Sequence, residues 1–96
     1  MAGGWVYIMA DRYRGTLYIE VTSNIAARAV AHREGRGSRF CQRYGLNRLV
    51  FAEFAPTIEE AIAREKALKK WNRAWKIALI ERANREWSDL LETING

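Results

Sequence analysis

Near the start of the chain two runs of alternating residues, Trp5 to Met9 and Thr16 to Val21, are separated by little more than the polar segment Asp11 to Gly15. Alternation at every second residue marks a β-strand. A connection of hairpin length then makes the two strands antiparallel. Trp5 and Tyr7 fall on one face of the first strand, Val6 and Ile8 on the other. In the second, Leu17, Ile19 and Val21 share one face, and Tyr18, Glu20 and Thr22 the opposite one. Tyr7 and Tyr18 can therefore lie near each other on neighbouring strands.

Thr22 or Ser23 can cap a helix running from about Asn24 to Glu34. Gly35 and Gly37 end it and open an arginine-rich loop, after which Leu49 to Phe54 reads as a third strand. Thr57 with Glu60 three residues later is a capping box that opens a long helical stretch. A break is expected near Asn72, before the helix continues through Trp75 and Ile80, and Trp87 to Ile94 reads as a last short helix. The order β-β-α-β-α-α predicts an α+β domain over residues 1–96, a small three-stranded antiparallel sheet flanked by helices. Four Trp, four Tyr and three Phe can fill its core.

The formal net charge of +5 is concentrated in one place. Acids and bases balance over residues 1–23 and again over 49–96, whereas 24–48 holds Arg28, Arg33, Arg36, Arg39, Arg43 and Arg48 against Glu34 alone. Arginine's planar fork matches a phosphate. This focusing points to a polyanionic partner, nucleic acid, contacted by Arg33, Arg36, Arg39 and Arg43. The bland alternative is a solvated loop that happens to be basic. No apolar run approaches the roughly 20 residues of a membrane span, and residues 1–9 lack the features of a signal peptide. A cytoplasmic protein with no membrane partner is expected. The single cysteine, Cys41, fits a reducing compartment. One His and one Cys exclude a four-ligand structural zinc site.

Two helices carry residues that a core does not explain. In the run Ile25 to His32 only Arg28 and His32 are polar, four apart and so on one seam, which either faces water or carries function. In the later helix Glu65 falls inside the apolar arc set by Ile58, Ala61, Ile62 and Leu68, at about 100° per residue. A buried carboxylate requires a cation, a donor set or a metal. The alternatives are a structural salt bridge, with Arg28 a candidate, a helix that simply exposes this edge, or a hard divalent ion such as Mg²⁺ that keeps most of its water. A Cys41–His32 nucleophile pair lacks an orienting group, and no glycine-rich nucleotide-binding loop follows a strand. The tryptophans read as core and helix-packing residues, Trp71 and Trp75 on one helix face.

Trp5-Val6-Tyr7, Tyr18-Ile19-Glu20, Arg28 with His32, and Arg64-Glu65 together resemble the GIY-YIG nuclease superfamily. Gly4 to Ile8, Leu17 to Ser23, Tyr44 to Val50 and Glu60 to Ile80 are similar to its short single-domain bacterial members. The same module forms the nuclease domain at the start of one component of the excinuclease and occurs in some homing endonucleases. The tyrosines lie 11 residues apart and Arg28 follows Tyr18 by 10, as in that pattern. The resemblance implies phosphodiester hydrolysis dependent on one Mg²⁺ or Mn²⁺ ion. Glu65 would hold the metal, and Arg28 would neutralise charge on the phosphoryl oxygens. Tyr7, Tyr18 and His32 would position or deprotonate the attacking water. A tyrosine serving as base requires a pKa lowered by metal or by Arg28. An asparagine often joins such sites, and Asn72 and Asn84 are equal candidates.

The sequence departs from the name motifs at Trp5 and at Glu20, where the family has glycine. Glu20 shares its face with Tyr18, so it can pair with Arg28, repel a nucleic-acid backbone or serve as a second metal ligand. The expectation is that Glu20 weakens activity relative to a glycine-bearing relative. The leading reading is a metal-dependent endonuclease acting on DNA, in repair or recombination. The alternative is a catalytically silent nucleic-acid-binding module on the same fold. A protein-interaction domain using the tryptophan-rich helices has only aromatic content in its favour.

Overall fold

The two alternating runs form the expected hairpin. In the computed structural model, which describes residues 3–91 and 93, β1 (Gly4–Ala10) pairs antiparallel with β2 (Leu17–Thr22). Tyr7 stands opposite Glu20 and Met9 opposite Tyr18, so the two tyrosines are diagonal neighbours on one face. β3 (Arg48–Ala55) pairs antiparallel along the other side of β1, giving the order β2-β1-β3. The register shifts between Ile8, opposite Phe51, and Met9, opposite Leu49. Val50 is the extra residue of this bulge. It packs with Phe51 in one cluster while Leu49 joins the other.

Helices cover both faces of the sheet. On one face Val6, Ile8, Ala10 and Ile19 meet Ala61 and Leu68 of α3 (Ile58–Lys70), Ile80 of α4 (Arg73–Ala83), and Trp87. On the other, Tyr7, Met9 and Leu49 meet Ile25 and Ala29 of α1 (Ile25–Arg33), Cys41 of α2 (Arg39–Tyr44), Leu46 and Leu91. The central strand is consequently buried from Val6 through Ala10, although its side chains alternate between two different clusters.

Local chemistry sets the helix boundaries. Asn24, rather than Thr22 or Ser23, caps α1, its side chain accepting from Ala27 N at 3.1 Å. Thr22 instead accepts from Asn24 N and steadies the entry to the helix. Thr57 caps α3 by accepting from Glu60 N, and the break near Asn72 is present because Asn72 caps α4. The arginine-rich stretch is not all loop. Ser38 caps the short helix α2, which Gly45 closes in the left-handed conformation at φ 68°.

The expected helix from Trp87 to Ile94 is not formed over residues 87–90; Leu91 and Thr93 are helical, and Glu92 and Ile94 lie outside the described residues. Trp87 has a left-handed backbone at φ 59° and is fully buried. Its indole N–H donates to Glu81 Oε2 at 2.7 Å, and Glu81 also takes a two-pronged contact from Arg14 in the β1–β2 turn. Burial of this one large ring, with its N–H satisfied, overrides the local helical pattern.

Candidate active site

α1 turns Ile25, Arg28, Ala29 and His32 to one side, the spacing of a single helical stripe. The cationic seam therefore shares its face with the core instead of facing water. His32 is buried, and its Nε2 lies 3.1 Å from the Tyr7 hydroxyl. Arg28 Nε donates to the same hydroxyl at 3.4 Å, and its Nη2 donates to Gly37 O at 3.0 Å. A guanidinium can only donate, so the Tyr7 oxygen accepts from Arg28; the hydrogen between Tyr7 and His32 runs in either direction, and the neutral tautomer protonated on Nδ1 is the one that lets Nε2 accept it. Gly37 permits this packing, because a Cβ there would fall 2.2 Å from His32 Nδ1.

Burial holds the His32 pKa below its ordinary value, and the Arg28 charge lowers it further, while Glu20 opposes. Tyr7 moves the other way: burial raises it, outweighing the contact with Arg28. Tyr18 is raised as well, by burial first, with Ser38 opposing and Glu20 adding. The expectation that Arg28 lowers a tyrosine into service as a base is thus overturned in net. Removing a phenolate from water costs more than one flanking guanidinium returns.

Glu20 does not pair with Arg28. Its carboxylate accepts from the Tyr18 hydroxyl at 3.0 Å and from Val21 N at 3.1 Å. Its negative charge nevertheless reaches Tyr7, Arg28, His32, Cys41 and Lys69, which makes it the electrostatic neighbour they share.

Glu65 is buried on the sheet-facing side of α3 between Ala61 and Leu68, while Ile62 of the same expected arc is exposed. Its ionic partner is Lys69 at 2.5 Å, one turn on, and not Arg28. The structure therefore gathers Tyr7, Arg28 and His32 into direct contact and joins Tyr18 to Glu20. Glu65 is held separately by Lys69, which lies within electrostatic reach of Glu20 and Tyr18. Arg64 ion-pairs with Glu53 at 2.9 Å and lies over the Trp71 ring. Both asparagines have structural duties. Asn72 accepts from Trp75 N, and the buried Asn84 donates to Val50 O and Ser88 O while accepting from Ser88 N.

Arg33, Arg36, Arg39 and Arg43 are all exposed along the end of α1, the following turn and α2. Arg36 ion-pairs with Glu34. Beside them a cleft of about 350 Å³ is lined by His32, Arg33, Gly37, Ser38, Cys41 and Gln42 among others. Burial pushes the Cys41 thiol up to about 11, so it is protonated at neutral pH and no nucleophile. Sequence reasoning missed Gly37, Phe40 and Lys69. The Gly-x-Gly spacing after α1 reads in the sequence only as a helix stop and the start of a loop.

The GIY-YIG catalytic domain family matches residues 3–78, and the chain belongs to that family. A UPF0213 protein of Staphylococcus haemolyticus is 32% identical over 81 residues, covering 84% of this chain and 98% of its own. One from Clostridium perfringens is 36% identical over 76 residues, with 79% and 81% covered. A third, from Bacillus licheniformis, is 33% identical over 85 residues, with 88% and 87% covered. No solved structure matches the chain significantly. No described helix is long and apolar enough to cross a membrane.

Proposed function

We propose that this chain is a divalent-metal-dependent endonuclease that hydrolyses phosphodiester bonds of DNA, serving repair or recombination. The observation that carries the reading is the Tyr7 hydroxyl placed between a permanent cation and a neutral imidazole. Tyr7 is fully buried, so the site has to open on substrate binding before an attacking water can pass its proton to the Tyr7 oxygen while the Tyr7 proton moves to His32 Nε2. Both raised tyrosines remain protonated at neutral pH, so His32 is the base and Tyr7 its relay. Arg28 keeps further N–H donors beyond those spent on Tyr7 and Gly37, and these stabilise charge growing on the phosphoryl oxygens. Tyr18 orients the water on the same face. The phosphorus–oxygen bond to the departing strand breaks, and that oxygen takes up a proton from solvent water.

Glu65 suits a hard hydrated ion. It is a buried carboxylate in a position that already attracts a cation, Lys69. Among the described residues no three or more His, Cys, Asp or Glu side chains gather as a metal cage. One carboxylate plus retained waters fits Mg²⁺ or Mn²⁺. When bound, the ion supplies Lewis-acid polarisation of a phosphoryl oxygen.

End-labelled single-stranded, duplex and branched DNA incubated with Mn²⁺, Mg²⁺ or EDTA tests the proposal beside a Glu65→Gln control. Cutting is expected only with metal and is expected to fall at least 100-fold in the control, or ~2.7 kcal/mol at the transition state. Salt-sensitive binding by folded protein that never cuts would favour the silent module, for which the central place of Glu20 is the specific support.

A further inference from the structure

Tyr18 is the inner end of a row of aromatic rings. Its ring stacks on Phe40 with centroids 5.6 Å apart and planes 18° from parallel. Phe40 meets Tyr44, one turn further along α2, at 4.9 Å. The outer two rings are open to solvent, Phe40 at 42% and Tyr44 at 54% exposure. The buried residue of α2 is Cys41, so this short helix turns two large rings outward together. Contiguous exposed apolar surface on a small protein marks a binding site. The Arg43 guanidinium lies 5.7 Å over the Tyr44 ring, and Arg39 is exposed at the start of the same helix. Half-exposed rings flanked by arginines are what an unpaired nucleobase stacks on while its phosphate is neutralised.

We propose that Phe40 and Tyr44 form a stacking shelf for an unpaired base next to the cleaved phosphodiester, with Arg39 and Arg43 on the adjoining phosphates. This rests on the nuclease reading above and names its substrate class: a strand whose bases are unstacked beside the scissile bond, as in a single strand or a flap. In a closed duplex each base has both faces covered by its neighbours, so the shelf has nothing to hold. Because Phe40 packs directly on Tyr18, a base on the shelf belongs to a nucleotide close to the one that is cut.

Fluorescence anisotropy in EDTA, where no cleavage occurs, measures the dissociation constants. The probes are labelled oligodeoxythymidine, an abasic strand of equal length and a blunt hairpin duplex. Phe40→Ala and Tyr44→Ala are each expected to weaken oligodeoxythymidine binding between about 5-fold and 100-fold. The same changes should leave the abasic strand and the duplex within about two-fold, because phosphate contacts are unaffected. Tyr44→Trp, which keeps a π-face, should bind at least as tightly as the wild type. Equal losses on all three probes, or no loss on oligodeoxythymidine, would overturn the shelf. Wild-type protein that binds the abasic strand as tightly as oligodeoxythymidine would overturn it too, leaving the nucleic-acid reading standing. Wild-type protein that binds none of the probes and cuts no DNA with metal would sink that reading, and the shelf with it.

Discussion

A single histidine makes the candidate base directly observable. With burial named first and the Arg28 charge second, His32 is expected to titrate below 6.5 in the folded protein. Its imidazole resonances in an NMR titration check this without overlap. Glu20→Gln should move the midpoint lower still, because the Glu20 charge opposes the depression, and Arg28→Gln should move it up. The sign for stability follows from the same linkage. A group whose folded pKa is depressed contributes stability that is present above the unfolded value near 6.5 and is lost as pH falls through the folded value. Cleavage should fail on the acid side with that same midpoint. A Glu20→Gly variant removes the negative charge shared by the cluster and is expected to cleave about ten-fold faster, a gain of ~1.4 kcal/mol at the transition state. A variant no faster than wild type in a time course would clear Glu20 of any inhibitory role.

Among the elements, the joint between α4 and the chain beyond it depends on two buried side chains that periodicity does not reveal. Asn84 brackets the turn through Val50 O and the Ser88 backbone, and Trp87 fills the space between α3, α4 and the sheet. Trp87→Ala should cost ~3–5 kcal/mol, the range for removing a fully buried aromatic. The midpoint of a urea transition should fall with its slope unchanged, and Trp87→Phe should recover much of the loss. The short helix α2 matters for a different reason. Ser38 and Gly45 fix its two ends, Cys41 anchors it, and those constraints alone decide that Phe40 and Tyr44 face outward.

At the scale of the whole molecule, one sheet divides two kinds of work. The face under α3 and α4 is an apolar core closed by Trp87, and the face under α1 and α2 carries Tyr7, Tyr18 and the arginine-rich stretch. The +5 charge is thus displayed beside the candidate site. Affinity for a fixed duplex should fall steeply with salt. Replacing Arg39 by Gln should reduce the slope of log affinity against log salt by about 1. Arg36→Gln should reduce it less, because Glu34 already neutralises that guanidinium. Titrations at several salt concentrations separate the two variants. A slope near zero for the wild type would contradict phosphate contacts altogether.

Alternation and turn length fixed the hairpin, the shared face of Tyr7 and Tyr18, and the spacing of Arg28 with His32, since each depends on neighbours along the chain. Capping chemistry marked the start of α3 for the same reason. What Glu65 touches was not legible, because a helical arc shows that a carboxylate points inward without naming the cation it meets. Lys69 supplies the partner one turn away, and Arg28, the candidate read from the sequence, does not. Trp87 left its helix because burial of one large ring outweighs local propensity, a balance that exists only once α3, α4 and the sheet surround it. The direction of the tyrosine pKa values was likewise a tertiary matter. Arg28 is written in the sequence, but the loss of water around Tyr7, which outweighs it, comes only from packing α1 on the sheet.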